Sequence, residues 1–142
     1  MKNGSTVLVV DAQGGGLGKQ LILSIKKELP QAHVIAIGVN AAATAAMLKA
    51  GADAAATGEN AVVVSSRKAD FIVGPVGMVI ADAMLGEITP NIARAVAQAD
   101  AKRILIPFNT CDNYIAGISD FTLGRLIADA VAELKRSLTN KD

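Results

Sequence analysis

The stretch Val7-Leu8-Val9-Val10-Asp11-Ala12-Gln13-Gly14-Gly15-Gly16-Leu17-Gly18-Lys19 decides the fold. Its four leading apolar residues read as a strand buried on both faces, because no polar residue alternates with them. The glycines allow a tight turn, and a helical pattern begins at Leu17. A strand, glycine turn and helix in that order leave the first backbone N–H groups of the helix without intrahelical partners, which favours an anion there. Glycine also serves close strand–helix packing, so a tight turn that binds nothing stands as the alternative.

The same alternation continues along the chain. Val34–Ile37, Phe71–Val73 and Ile104–Ile106 are further short runs rich in Val and Ile, and Ala52–Thr57 is a weaker, small-residue candidate for a fifth strand. Helical segments fall between them at about Leu17–Leu29, Ala41–Ala50, Asn60–Lys68 and Pro90–Gln98. Thr89-Pro90 is a start signal, with Thr89 as cap and Pro90 at the first helical position. A last helix carries the apolar stripe Leu123, Leu126, Ile127, Ala130, Val131, Leu134 and Leu138, with Asp120 as its cap and Arg125, Asp129, Glu133 and Arg136 as a solvated outer face. Strands alternating with helices predict a three-layer α/β/α fold around a doubly wound, mostly parallel sheet of about five strands, Rossmann-like in form.

A chain of 142 residues fits one such domain over 1–142, with Ser137–Asp142 as a frayed tail, and leaves no room for a two-domain dehydrogenase. Hydrophobic residues at 51% against 19% charged exclude a disordered chain. A net charge of +1, no Trp, one Tyr and three Phe argue against nucleic acid, which calls for a basic surface and stacking platforms. The mean hydropathy of +0.40 raises a membrane span, but the longest apolar stretch, Phe71 to Leu85, is short and is broken by Gly74-Pro75, Gly77 and Asp82. With no signal-like start, the expected location is the cytoplasm. One cysteine and one histidine form no zinc-binding pattern, so no metal is expected.

Two phosphate motifs can be laid on the glycine turn. The dinucleotide fingerprint G-x-G-x-x-G, aligned on Gly15 and Gly18, has Gln13 where its first glycine belongs. The acid expected at the end of the second strand, to hold a ribose hydroxyl, is replaced by Asn40, which serves either ribose or the cap of the helix at Ala41. The P-loop places Gly18-Lys19 correctly but has Gln13 for its first glycine and Gln20 for the magnesium-binding hydroxyl, which leaves nucleotide hydrolysis the lesser alternative.

Ligands of open α/β sheets bind beyond the carboxyl ends of strands, where Gly74-Pro75-Val76-Gly77 and Pro107-Phe108-Asn109-Thr110-Cys111 would join the glycine turn in one crevice. The expected ligand carries phosphate: NAD(P) or a mononucleotide. Its candidate contacts are Gly14, Gly15, Gly16, Gly18, Lys19, Asn40, Gly74, Gly77 and Asn109. Cys111 is the weak catalytic candidate, either a bystander thiol or a ligand contact; His33, ahead of the second strand, lies at the wrong end of the sheet to activate it. No general acid or base is evident. Glu59 and Glu87 are explained by helix starts, whereas Asp82 faces water, pairs, or lines a site or subunit contact. The apolar Met78–Leu85 segment supports a second reading, a non-catalytic sensor or assembly subunit that closes as a homodimer.

Asp11-x-Gln13-Gly-Gly-Gly-x-Gly18-Lys19, Asn40-x-x-x-Thr44, Ala50-Gly51-Ala52-Asp53, Thr57-Gly58-Glu59-Asn60-Ala61, Gly74-Pro75-Val76-Gly77 and Gly86-Glu87-Ile88-Thr89-Pro90 together resemble a family of short bacterial proteins known only as a domain of unknown function. The resemblance implies a bacterial cytoplasmic protein with a Rossmann-like, nucleotide-binding look. It carries over no substrate and no catalytic residue.

Overall fold

The structure, a computed structural model, describes residues 4–108, 112–119 and 122–140. Strand β1 (Thr6–Asp11) leads into α1 (Gly16–Glu28), followed by β2 (His33–Gly38), α2 (Ala41–Lys49), β3 (Ala54–Thr57), α3 (Glu59–Lys68), β4 (Phe71–Pro75), a 3₁₀ turn (Val76–Val79), α4 (Pro90–Ala97), β5 (Lys102–Ile106) and α5 (Leu123–Asn140). All pairings are parallel, in the order β3-β2-β1-β4-β5. The chain winds outward from β1 through β2 to β3, then crosses back to β4 and on to β5. The switch point therefore falls between β1 and β4, as the sequence reading expects for a doubly wound sheet.

The two faces of β1 explain its unbroken apolar run. Val7 and Val9 pack into a core with α1, α2 and α5, whereas Leu8 and Val10 pack into a second core with α3 and α4. Neighbouring β4 divides likewise, with Phe71 and Val73 on the first face and Ile72 on the second. Burial on both sides is what parallel strands covered by crossover helices require. At the edge, β3 is short and largely exposed, held through the register Ile35↔Ala54 to Gly38↔Thr57.

The helices begin where local chemistry satisfies their free N–H groups. Asn40 caps α2 by accepting from Ala43 N–H at 2.9 Å, and Thr89 caps α4 by accepting from Ile92 N–H at 3.1 Å. The cap assigned to Asp120 lies outside the described residues. Residues 137–140 of the stretch expected as a tail lie in helix α5, and 141–142 lie outside the described residues. Helix α5 runs on to Asn140 because Leu138 is buried and Ser137 holds Glu133 and Lys102 by hydrogen bonds. The same Glu133 accepts from Lys102 Nζ at 2.5 Å, tying α5 to β5. Among the described residues no helix is long and apolar enough to cross a membrane.

Candidate functional site

The glycine turn sits at the carboxyl end of β1, beside the switch point. Ala12 C=O accepts from Gly15 N–H at 3.1 Å to close it, and Gly15, with φ 75°, caps α1. The first intrahelical bond runs from Lys19 N–H to Gly15 C=O at 2.8 Å, so Gly16, Leu17 and Gly18 N–H need acceptors outside the helix. Asp11 takes one of them. Its carboxylate, 5% exposed, accepts from Gly18 N–H at 2.7 Å and from Ala12 N–H at 2.8 Å. Burial pushes the Asp11 carboxyl above its ordinary value, helped by the nearby Glu87 charge, and the two backbone hydrogen bonds only partly offset this. Gly16 and Leu17 N–H remain without a helical partner at the positive end of α1.

The glycines fall into two groups when each is asked what a side chain would meet. A Cβ on Gly15 would lie 2.8 Å from Ala43 Cα; on Gly18, 2.9 Å from Asp11 Cβ; on Gly74, 2.5 Å from the Val10 carbonyl oxygen. Close packing of α1 on α2, of α1 on β1 and of β4 on β1 is reason enough for these three. A Cβ on Gly14 or Gly16 would meet nothing within 4 Å. Packing gives no reason for glycine there, and the open space before them is where an approaching ligand would benefit from bare backbone.

That space is a cavity of about 160 Å³, lined by the Asp11–Leu17 turn, Pro75 at the end of β4, Met84 and Phe108. It brings together Gly14, Gly15 and Gly16 with Pro75, Met84 and Phe108. Gly18, Lys19, Asn40, Gly74 and Gly77 are not part of its wall. Lys19 is exposed on α1, and Gly77 is buried in the 3₁₀ turn, its C=O accepting from Ile80 N–H at 3.0 Å. Asn109 and Cys111 lie outside the described residues. His33 is exposed at the far end of β2 beside Asp53.

Asn40 is the cap, and more. Its Oδ1 holds α2, while its Nδ2 donates to Gln13 C=O at 2.9 Å and to Glu87 Oε2 at 2.7 Å. Glu87 Oε1 in turn accepts from Gln13 N–H at 2.9 Å. Helix-end electrostatics therefore do not account for Glu87. It reaches back across the switch point to bind the glycine turn and the end of β2, and sequence reasoning missed it. A helix start does account for Glu59, which opens α3 and accepts from Thr89 Oγ1 at 2.5 Å. Asp82 faces water, with φ 67°, in a turn where Met84 and Leu85 are also left-handed. Its N–H donates to Ile88 C=O at 2.7 Å, closing a loop that tucks Met84 into the cavity wall and leaves Leu85 fully exposed.

Thr44 secures the end of β2 from below. Its Oγ1 donates toward Asn40 C=O at 3.1 Å or Ala56 C=O at 3.2 Å and lies 2.7 Å from Thr57 Oγ1. A larger open groove of about 560 Å³ runs between α3 and α4 and shares no residue with the glycine turn. Among the described residues, no group of three or more His, Cys, Asp or Glu side chains is placed to hold a metal ion.

Residues 6–139 match the family described as a domain of unknown function (DUF3842), and the chain belongs to that family. No curated protein matches the chain. Among solved structures, a dodecameric FMN-dependent UbiX-like decarboxylase from Escherichia coli O157:H7 is similar over 92% of this chain and 75% of that one, at 16% identity and a TM-score of 0.44.

Proposed function

We propose that this member of the family binds a phosphate-bearing small molecule, a nucleotide or a dinucleotide such as NAD(P), at the Gly14–Leu17 turn. The observation that carries the reading is the pairing of open space before Gly14 and Gly16 with helix N–H groups that no part of the helix can satisfy. The cavity, at about 160 Å³, is smaller than the roughly 300–1,000 Å³ of pockets that enclose whole ligands. It suits one anionic group, with the remainder of the ligand lying along the carboxyl edge of the sheet. Gly15, Gly18 and Gly74 support that geometry through packing, and Asn109 and Gly77 border it in sequence. The chain supplies positioning and anion stabilisation.

Native mass spectrometry of protein purified without added ligand tests this directly. The expected result is a bound mass that denaturation releases as a nucleotide, absent from Gly16→Val while circular dichroism stays unchanged. Protein that carries no ligand and binds no added nucleotide, or Gly16→Val binding as well as wild type, overturns the reading. Leu85, fully exposed on a left-handed turn and next in the chain to Met84 of the cavity wall, favours a second reading in which the chain assembles with copies of itself there. The same spectrum counts subunits, and a monomer that Leu85→Ser leaves unchanged removes it.

A further inference from the structure

The dinucleotide fingerprint pairs a glycine turn with an acid at the end of the second strand, because a carboxylate accepts hydrogen bonds from a ribose diol and repels a phosphate at the 2′ position. In this chain that strand ends in Gly38-Val39-Asn40, and the side chain capping the next helix is a neutral amide. The acid is nonetheless present at that place in space. Glu87, from the loop between β4 and α4, sets its carboxylate against Asn40 Nδ2 at 2.7 Å and Gln13 N–H at 2.9 Å.

We infer that Glu87 is the ribose-recognising carboxylate of this site, supplied from across the switch point, and that the protein selects nucleotides with an unmodified 2′-hydroxyl over 2′-phosphorylated ones. The inference rests on the nucleotide reading of the glycine turn and deepens it. A carboxylate offers about four acceptor positions. One hydrogen bond on each oxygen leaves acceptor capacity on both, at a side chain that is only half buried. Asn40 and Gln13 fix the orientation of the carboxylate, and Asn40 has both Nδ2 hydrogens committed, to Gln13 C=O and to Glu87, and Oδ1 engaged by the cap of α2, so the charged acceptor at this place is Glu87. No Lys or Arg occurs between Gly38 and Leu48 to neutralise a 2′-phosphate brought there. Along the carboxyl edge, the order Glu87 near the end of β2, glycine turn after β1, Pro75 at the end of β4 and Phe108 after β5 places ribose, phosphate and the distal part of a nucleotide in sequence.

Isothermal titration of the intact chain with NAD⁺ and with NADP⁺ tests it. Wild type should bind NAD⁺ tighter by about tenfold or more, since a hydrogen bond to a charged group and the loss of repulsion each contribute at that scale. Glu87→Gln, of equal shape, should weaken NAD⁺ by about tenfold and bring the two affinities within about threefold. Glu87 also braces the turn, and bracing alone would weaken both ligands by the same factor, so a preserved NAD⁺ to NADP⁺ ratio in Glu87→Gln refutes the inference while leaving the nucleotide site standing. Equal binding of the two by wild type refutes it as well. Failure of wild type to bind either at millimolar concentration overturns the nucleotide reading together with the inference. Thermal melts of both proteins confirm that the comparison is made between folded chains.

Discussion

Gly15→Ala should be the most damaging single-methyl change in the glycine turn, and its cost can be worked from two independent sources. The first is conformation: φ is 75° at Gly15, and an L-residue held in the left-handed region costs about 1–2 kcal/mol. The second is space. The new methyl would lie 2.8 Å from Ala43 Cα, 3.1 Å from Ala43 O and 3.2 Å from Ala46 Cβ, and two of these atoms are backbone. Carbon atoms rest about 3.5–4.0 Å apart, so α2 would have to back away by roughly 1 Å, an overpacking cost of about 1–3 kcal/mol. The expected loss is therefore about 2–5 kcal/mol. With an unfolding entropy near 2.1 cal/mol/K per residue, a chain of 142 residues loses about 7–17 °C in Tm. The control is Gly16→Ala, where a methyl meets nothing within 4 Å and φ is not left-handed; it should melt within about 2 °C of wild type or slightly above it. Urea and thermal denaturation followed by circular dichroism read both. A Gly15→Ala protein that melts with wild type, or a Gly16→Ala protein equally destabilised, refutes the division of these glycines into packing and open positions.

Glu133 gives a pH-dependent prediction. Hydrogen bonds from Lys102, Arg136 and Ser137 lower its carboxyl from 4.5 to about 2. A lowered carboxyl contributes stability that is present above the unfolded value and lost as pH falls from about 4.5 to about 2. Carboxyl NMR should find Glu133 titrating near 2, and Lys102→Met should move it toward 4.5; a titration near the ordinary value in wild type would show that the Lys102 bond does not persist in water. Thr44→Val keeps the shape of the side chain but deprives the ends of β2 and β3 of a shared hydroxyl, with about 1–3 kcal/mol lost in urea denaturation and the capping Asn40 loosened. Unchanged stability in Thr44→Val would place that support elsewhere.

The sheet was legible because its inner strands are buried on both faces, and a strand with no wet side must be apolar at every position. Val7–Val10 and Phe71–Val73 satisfy that condition and became β1 and β4, the pair flanking the switch point. The edge strand β3 was harder to see, since Ala54-Ala55-Ala56-Thr57 has little intrinsic strand character. Its conformation comes from pairing with β2 and from Thr44 reaching over from α2, contacts that local pattern does not encode. The extent of α5 was hard to see for a related reason. Polar Ser137 and Asn140 suggest an end, but Lys102 on another strand and the buried Leu138 extend the helix past Ser137.

At the site, what could be read was what one segment makes alone. A glycine turn opening a helix creates unpaired N–H groups through the covalent order of the chain, so Gly14, Gly15, Gly16 and Gly18 were all candidates without any knowledge of tertiary contacts. Gly15, Gly18 and Gly74 look the same in sequence, yet only the approach of Ala43, Asp11 and Val10 shows that packing already requires them. Glu87 could not be read at all, because its partners lie 74 residues away at Gln13 and 47 away at Asn40. The fingerprint directs attention to an acid about 20 residues beyond the turn. The doubly wound order makes a second source possible: it sets the β4–α4 loop beside the end of β1, within reach of the end of β2. Once the loop over Asp82–Gly86 folds back on Ile88, a carboxylate at position 87 stands next to the amide at position 40. On the role inferred for Glu87, a motif residue missing from its usual place along the chain is to be sought also among the loops that flank the switch point.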